Sequence, residues 1–137
     1  MEEKIIKTIL KKIECEAIVL FGSYARGTQN DESDVDIAIK PKNEIDKKAL
    51  FNVSLDLSDE LERDVDLINL DTEIGDAFRY EILITGKTIY CEDSFKFEMY
   101  KLDMYREFLE LNESRQMIID RIKKGGDIYG KRSSSNK

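Results

Sequence analysis

Four short apolar runs punctuate this chain, and none is long enough to be anything but a strand. They are "AIVLF" at 17–21, "VDIAIK" at 35–40, "DVDLINL" at 64–70 and "KTIYC" at 87–91. The first is apolar at every position and stops at a glycine, the pattern of a buried strand. The second alternates and is β-branched, and Pro41, the only proline, closes it. In the third, Val65, Leu67 and Asn69 fall on one face while Asp66, Ile68 and Leu70 fall on the other.

Helical periodicity fills the intervals. Ile5, Ile6, Ile9, Leu10 and Ile13 share a face of a segment over residues 3–13, with lysines opposite. Leu50, Val53, Leu57 and Leu61 form one stripe of a helix over 46–62, and residues 74–84 read as a shorter one before Gly86 turns the chain. From 94 to 124 there is neither proline nor glycine. Phe97, Tyr100, Met104, Phe108, Leu111, Ile118 and Ile122 recur there at helical intervals, giving one long helix or two with a break near Asn112, ended by the glycine pair at 125. The resulting order is α-β-α-β-α-β-α-β followed by a helical extension.

Such alternation suits a doubly wound fold, but the strands are few and short. The dinucleotide fingerprint GxGxxG and the phosphate loop GxxxxGK[ST] are both absent. The expected fold is α+β: a small mixed β-sheet with flanking helices, placed on one face, plus a C-terminal helical extension. The expected organisation is a core unit over 1–92, the extension over 93–126 and a polar tail over 127–137.

Composition narrows the chemistry. The chain has no histidine, which removes every mechanism that needs imidazole as base, nucleophile or ligand. Cys15 and Cys91 lie far apart with no CxxC spacing, so an ordinary zinc site is excluded and two free thiols in a reducing compartment are expected. A net charge of -7 argues against a broad grip on nucleic acid. No apolar run approaches the roughly 20 residues of a membrane span, and the lysines and glutamates of "MEEKIIKTILKK" suit an amphipathic helix better than a leader. A soluble, cytoplasmic protein is expected.

One stretch carries chemistry: "GSYARGTQNDESDVDIAI", residues 22–39. Asp34 and Asp36 stand one residue apart at the start of a strand, so they share a face about 6–7 Å apart. Two such charges repel by roughly 2–3 kcal/mol at an effective dielectric near 20. Asp66 occupies another strand between valine and leucine. If the two strands pair, a third carboxylate joins the first two, and a hard divalent cation such as Mg²⁺ would remove the conflict. At the other end of the stretch, Gly22 and Ser23 follow a strand and begin a turn or short helix, where backbone N–H groups and a hydroxyl can cradle phosphate. Taken singly, Gly-Ser is a common strand-to-helix turn and Asp-x-Asp a common solvated strand end; their order and spacing are what is specific.

Gly-Ser, ten residues, then Asp-x-Asp resembles the signature of the polymerase-β-type nucleotidyltransferase superfamily. The stretch is similar to its minimal nucleotidyltransferase (MNT) branch, in which Ala-Arg-Gly and Ser-Asp-x-Asp are typical. The resemblance runs over roughly residues 5–91, with "DVDLINL" at the position of the third carboxylate and "RYEILITGKTIYCED" as the closing segment. "MYREFLELNESRQMIIDRI" is similar to the helical tail of MNT antitoxins encoded beside HEPN-domain toxins. No departure occurs at Gly22, Ser23, Asp34 or Asp36.

The resemblance implies an adenylyltransferase that moves AMP from ATP, with Mg²⁺, to a tyrosine hydroxyl of a cognate HEPN ribonuclease toxin, with which it forms a hetero-oligomer. It places Gly22 and Ser23 on the triphosphate, Asp34 and Asp36 on the metals, and Asp66 on the catalytic metal and the incoming hydroxyl. Arg26 either meets a phosphate or pairs with a surface acid; Arg79 divides the same way, leaning to a structural role. The apolar stripe after residue 93 either covers its own domain or faces the toxin. Two other readings are an antitoxin that neutralises by contact alone and a nucleotidyltransferase acting on a small-molecule hydroxyl.

Overall fold

The computed structural model describes residues 1–27, 34–72 and 74–125, and the side chains of all of these except Arg26 and residues 111–125. In chain order the elements are α1 (Glu2–Leu10), β1 (Cys15–Phe21), α2 (Ser23–Arg26), β2 (Val35–Pro41), α3 (Lys47–Leu61), β3 (Val65–Asn69), α4 (Asp76–Thr85), β4 (Lys87–Cys91) and α5 (Ser94–Gly125). Residues 28–33, within the Gly-Ser to Asp-x-Asp stretch, and the expected polar tail over 127–137 lie outside the described residues.

The four strands form one sheet in the order β3-β2-β1-β4. β1 is central and antiparallel to both β2 and β4, while β2 and β3 are parallel, so the sheet is mixed as expected. The parallel pair requires a crossover, which α3 supplies. Asp46 starts that helix: its side chain accepts a 2.8 Å hydrogen bond from the Ala49 amide, satisfying one of the first-turn donors.

The helices cover both faces of the sheet, which corrects the expectation of helices on one face. On one side Ile5 and Ile9 of α1 and Val53 and Leu57 of α3 pack on Ile18, Leu20, Ile37, Ile39 and Leu67. On the other, Ile82 and Leu83 of α4 and Phe97 of α5 pack with Ala17, Val19, Phe21 and Ala38. The cause is legible in β1: its run 17–21 is apolar at every position and has no face to give to water.

Helix α5 is continuous for 32 residues, about 48 Å long, with no break at Asn112. Phe97 is buried, and Tyr100 and Met104 pack against the second core. Further along, Phe108 stacks on Tyr80 of α4 with centroids 4.1 Å apart and planes inclined by 3°. This stripe of α5 covers its own domain. A second set, Phe95, Met99, Leu102 and Leu109, is exposed. Among the described residues no helix is long and apolar enough to cross a membrane.

Candidate functional site

β1 delivers the site's first residues. It ends at Phe21, and the next residue, Gly22, takes φ 73° and ψ -148°, a conformation that disfavours any side chain. One helical turn, Ser23–Arg26, follows and is closed by Gly27 in the left-handed region, whose N–H donates to the Ser23 carbonyl. A four-residue turn has almost no macrodipole, so any phosphate held here meets local N–H groups and the Ser23 hydroxyl rather than a helix field.

The sheet register brings in the carboxylates. Phe21 pairs with Asp36 across the antiparallel β1–β2 ladder, and Asp36 pairs with Asp66 across the parallel β2–β3 ladder. Phe21, Asp36 and Asp66 therefore form one row across three strands, spaced by about 4.8 Å per strand. The row lies on the α4/α5 side, because Ala38 and Ile68, two residues further along β2 and β3, pack in that core. Asp36 is half-buried, whereas Asp66 and Asp34 are exposed. Asp34 immediately precedes β2.

Gly22 closes the row from above. A Cβ built on it would overlap the Asp36 carboxylate and lie 3.3 Å from the Asp36 Cβ. The Gly-Ser turn and the Asp-x-Asp strand, ten residues apart in sequence, are thus in contact.

Among the described residues, no three Asp, Glu, Cys or His side chains are gathered into a ready-made metal cage. The donor set nevertheless fits Mg²⁺. It is all oxygen, open on one side, and lies against a backbone turn that only glycine leaves clear. Mg²⁺ takes one or two carboxylates and completes its shell with water and substrate phosphates rather than with a closed protein cage.

Of the remaining candidates, the Arg26 side chain lies outside the described part. Arg79 is tied into the β3–α4 connection. Its Nε donates to the Leu70 carbonyl at 3.0 Å, a guanidinium nitrogen donates to the Thr72 carbonyl at 2.6 Å, and another pairs with Asp76 at 3.1 Å. It works as a clamp on that loop, in line with a structural role. Cys15 and Cys91 are both free thiols.

Two aromatic rings border the row and were not singled out from sequence. Phe21 is its β1 member, and Phe78 of α4 stands edge-on to it, with centroids 6.0 Å apart and planes at 79°. Phe21 carries a signal, as the last inward residue of a strand directly before Gly-Ser. Phe78 carries none, because only the path of α4 over the sheet brings it there.

Residues 3–95 match the family model described as polymerase beta, nucleotidyltransferase. Over 124 residues the chain is 33% identical to the protein adenylyltransferase MntA of Shewanella oneidensis, covering 88% of this chain and 86% of that one. A chain in a crystal structure of a toxin–antitoxin with AMP-PNP superposes with a TM-score of 0.77 at 31% identity, covering 88% of this chain and 97% of that one. A further match is a complex of tri-AMPylated Shewanella oneidensis HEPN toxin with MNT antitoxin. It has a TM-score of 0.71 at 28% identity and covers 88% and 94% of the two chains.

Proposed function

The chain belongs to the polymerase beta nucleotidyltransferase family, and from that premise we propose that it is a protein adenylyltransferase antitoxin. It transfers AMP from ATP to a tyrosine hydroxyl of a cognate HEPN ribonuclease toxin and forms a hetero-oligomer with it. The observation that carries this reading is the contact of the Gly22 turn with Asp36, itself in register with Asp66. Phosphate-binding backbone and carboxylates meet at one place, as transfer of a phosphorus centre requires. The likeness to MntA, and to chains from toxin–antitoxin complexes over almost their whole length, supports the choice of acceptor.

In this reading Gly22 and Ser23 hold the β- and γ-phosphates through backbone N–H groups and the Ser23 hydroxyl. Asp34, Asp36 and Asp66 are the residues that would hold Mg²⁺. Bound there, the metal would supply Lewis-acid polarisation of the α-phosphate and a lowered pKa for the attacking hydroxyl. Asp66, exposed at the outer end of the row, receives the tyrosine proton. The tyrosine oxygen forms a bond to the α-phosphorus, the bond from that phosphorus to the α–β bridging oxygen breaks, and pyrophosphate leaves. A carboxylate as base is what a chain without histidine has to offer. Arg26 is positioned by sequence to assist the phosphates, since it ends the same helical turn.

The test is intact-mass spectrometry of the partner toxin incubated with this chain, ATP and Mg²⁺. The reading expects mass gains in AMP units that vanish in Asp36→Asn. Full neutralisation of the toxin without any AMP transfer would instead establish inhibition by contact.

A further inference from the structure

We infer that Phe78 is the nucleotide-base platform of this site: its ring receives the base of the donor nucleotide. The inference rests on the nucleotidyltransferase reading and deepens it.

The row across the sheet has a direction. Asp36 sits in the middle, with Phe21 on its β1 side and Asp66 on its β3 side. The phosphate turn, Gly22 and Ser23, continues from Phe21, so the donor nucleotide enters on the β1 side of Asp36. The hydroxyl that gives its proton to Asp66 must come from the β3 side. Whatever aromatic surface stands over the β1 side therefore belongs to the donor.

Phe78 is that surface. Phe21 is only 8% exposed and serves as its footing, while Phe78 remains 40% exposed although it is fixed edge-on against Phe21. A T-shaped contact uses the edge of one ring and leaves faces of the pair unoccupied. Cross-strand neighbours on one face have Cβ atoms about 5 Å apart, and the Phe78 ring centroid lies 6.0 Å from that of Phe21, the cross-strand neighbour of Asp36. The position suits a nucleoside whose α-phosphate lies at Asp36. Stacking of a base on an aromatic side chain contributes about 1–3 kcal/mol. It needs no hydrogen-bond donor at the site, and Phe78 offers none.

Calorimetric titration of the full chain with AMP-PNP and Mg²⁺ tests this. Phe78→Leu keeps the apolar bulk over Phe21 and removes the ring; Phe78→Tyr keeps the ring. We expect Phe78→Leu and Phe78→Ala to weaken AMP-PNP binding about ten-fold and Phe78→Tyr to restore it. The adenine proton resonances of bound AMP-PNP should show a ring-current shift in the wild type that Phe78→Leu abolishes. Unchanged affinity in Phe78→Leu overturns the inference. So does equal weakening in Phe78→Tyr, or a KM increase confined to the acceptor protein. If the wild type binds no AMP-PNP, the nucleotidyltransferase reading falls with it. If the wild type binds AMP-PNP in a Phe78-dependent way but transfers no AMP, the acceptor assignment alone falls.

Discussion

The Asp36 carboxylate lies in the space that a Cβ on Gly22 would need, so one residue's missing side chain is the condition for the other's position. Gly22→Ala introduces two faults together, a Cβ overlapping the carboxylate and a φ of 73°. Displacing a reacting group by about 1 Å costs about 100-fold in rate, and a loss of AMP transfer of at least that size is expected. Thermal unfolding should show lower stability for Gly22→Ala than for the wild type. That penalty should shrink when Asp36→Ala is added, a coupling of about 1 kcal/mol in a double-mutant cycle. Additive penalties would mean that the overlap is not the cause.

Asp36 and Asp66 are direct cross-strand neighbours, and like charges so placed destabilise a sheet by a few tenths of a kcal/mol to about 1 kcal/mol. Asp66→Asn is therefore expected to raise stability by about 0.5 kcal/mol in EDTA while abolishing AMP transfer. Mg²⁺ should raise the melting temperature of the wild type and leave that of Asp36→Asn nearly unmoved. Both effects are read by calorimetry with and without the metal, and an equal Mg²⁺ response in both proteins would remove Asp36 from the ligand set.

Burial pushes the Cys15 thiol from its ordinary 9.0 up to about 12, against a smaller opposing influence of Lys42. The unfolded chain releases that proton near pH 9.0, the folded chain only near 12. The stabilisation is therefore complete below pH 9 and is lost as pH rises through that window, at up to about 1.4 kcal/mol per pH unit. Tyr100, raised by burial from 10.0 to about 12, steepens the loss above pH 10. Urea unfolding across pH 8–11 should show this slope, and Cys15→Ala should flatten it from pH 9 upward. At neutral pH a thiol reagent should label Cys91, which is partly exposed, well before Cys15.

Arg79 serves two main-chain carbonyls and one carboxylate from a side chain that is 15% exposed. Arg79→Ala should cost about 2 kcal/mol of stability, the size of a lost charged hydrogen bond with its acceptors left behind. Arg79→Lys should recover little, since an ammonium cannot reproduce the fork. AMP transfer measured well below the melting temperature should survive both. Loss of transfer at full folding would instead place Arg79 at the phosphates.

The strands were legible because period-two and fully apolar runs are local patterns, and β1 to β4 fall where "AIVLF", "VDIAIK", "DVDLINL" and "KTIYC" stand. Helix ends were less so: α1 stops at Leu10 although Ile13 is still buried, because a turn rather than the helix carries Ile13 into the core. The second helical layer is signalled only indirectly, by "AIVLF", whose unbroken apolar run leaves two faces to bury. In the site, Gly22, Ser23, Asp34, Asp36 and Asp66 stood out through spacing. That Asp36 faces Asp66 rather than a residue one step away is a matter of strand register. Register is set jointly by α3 and both cores, and no window of sequence contains it. Phe78 was invisible for the same reason, belonging to a helix whose only local message is amphipathicity.

The parallel pairing of β2 with β3 makes the site unequally tolerant of length changes. Residues gained or lost in the crossover around α3 alter a connection and leave the ladder free to re-form in the same alignment. A single residue gained within β3 ahead of Asp66 turns that carboxylate to the opposite face of the sheet, toward the α1/α3 core, and no neighbouring adjustment brings it back. Drift in this lineage should therefore accumulate insertions between the strands and almost none inside them.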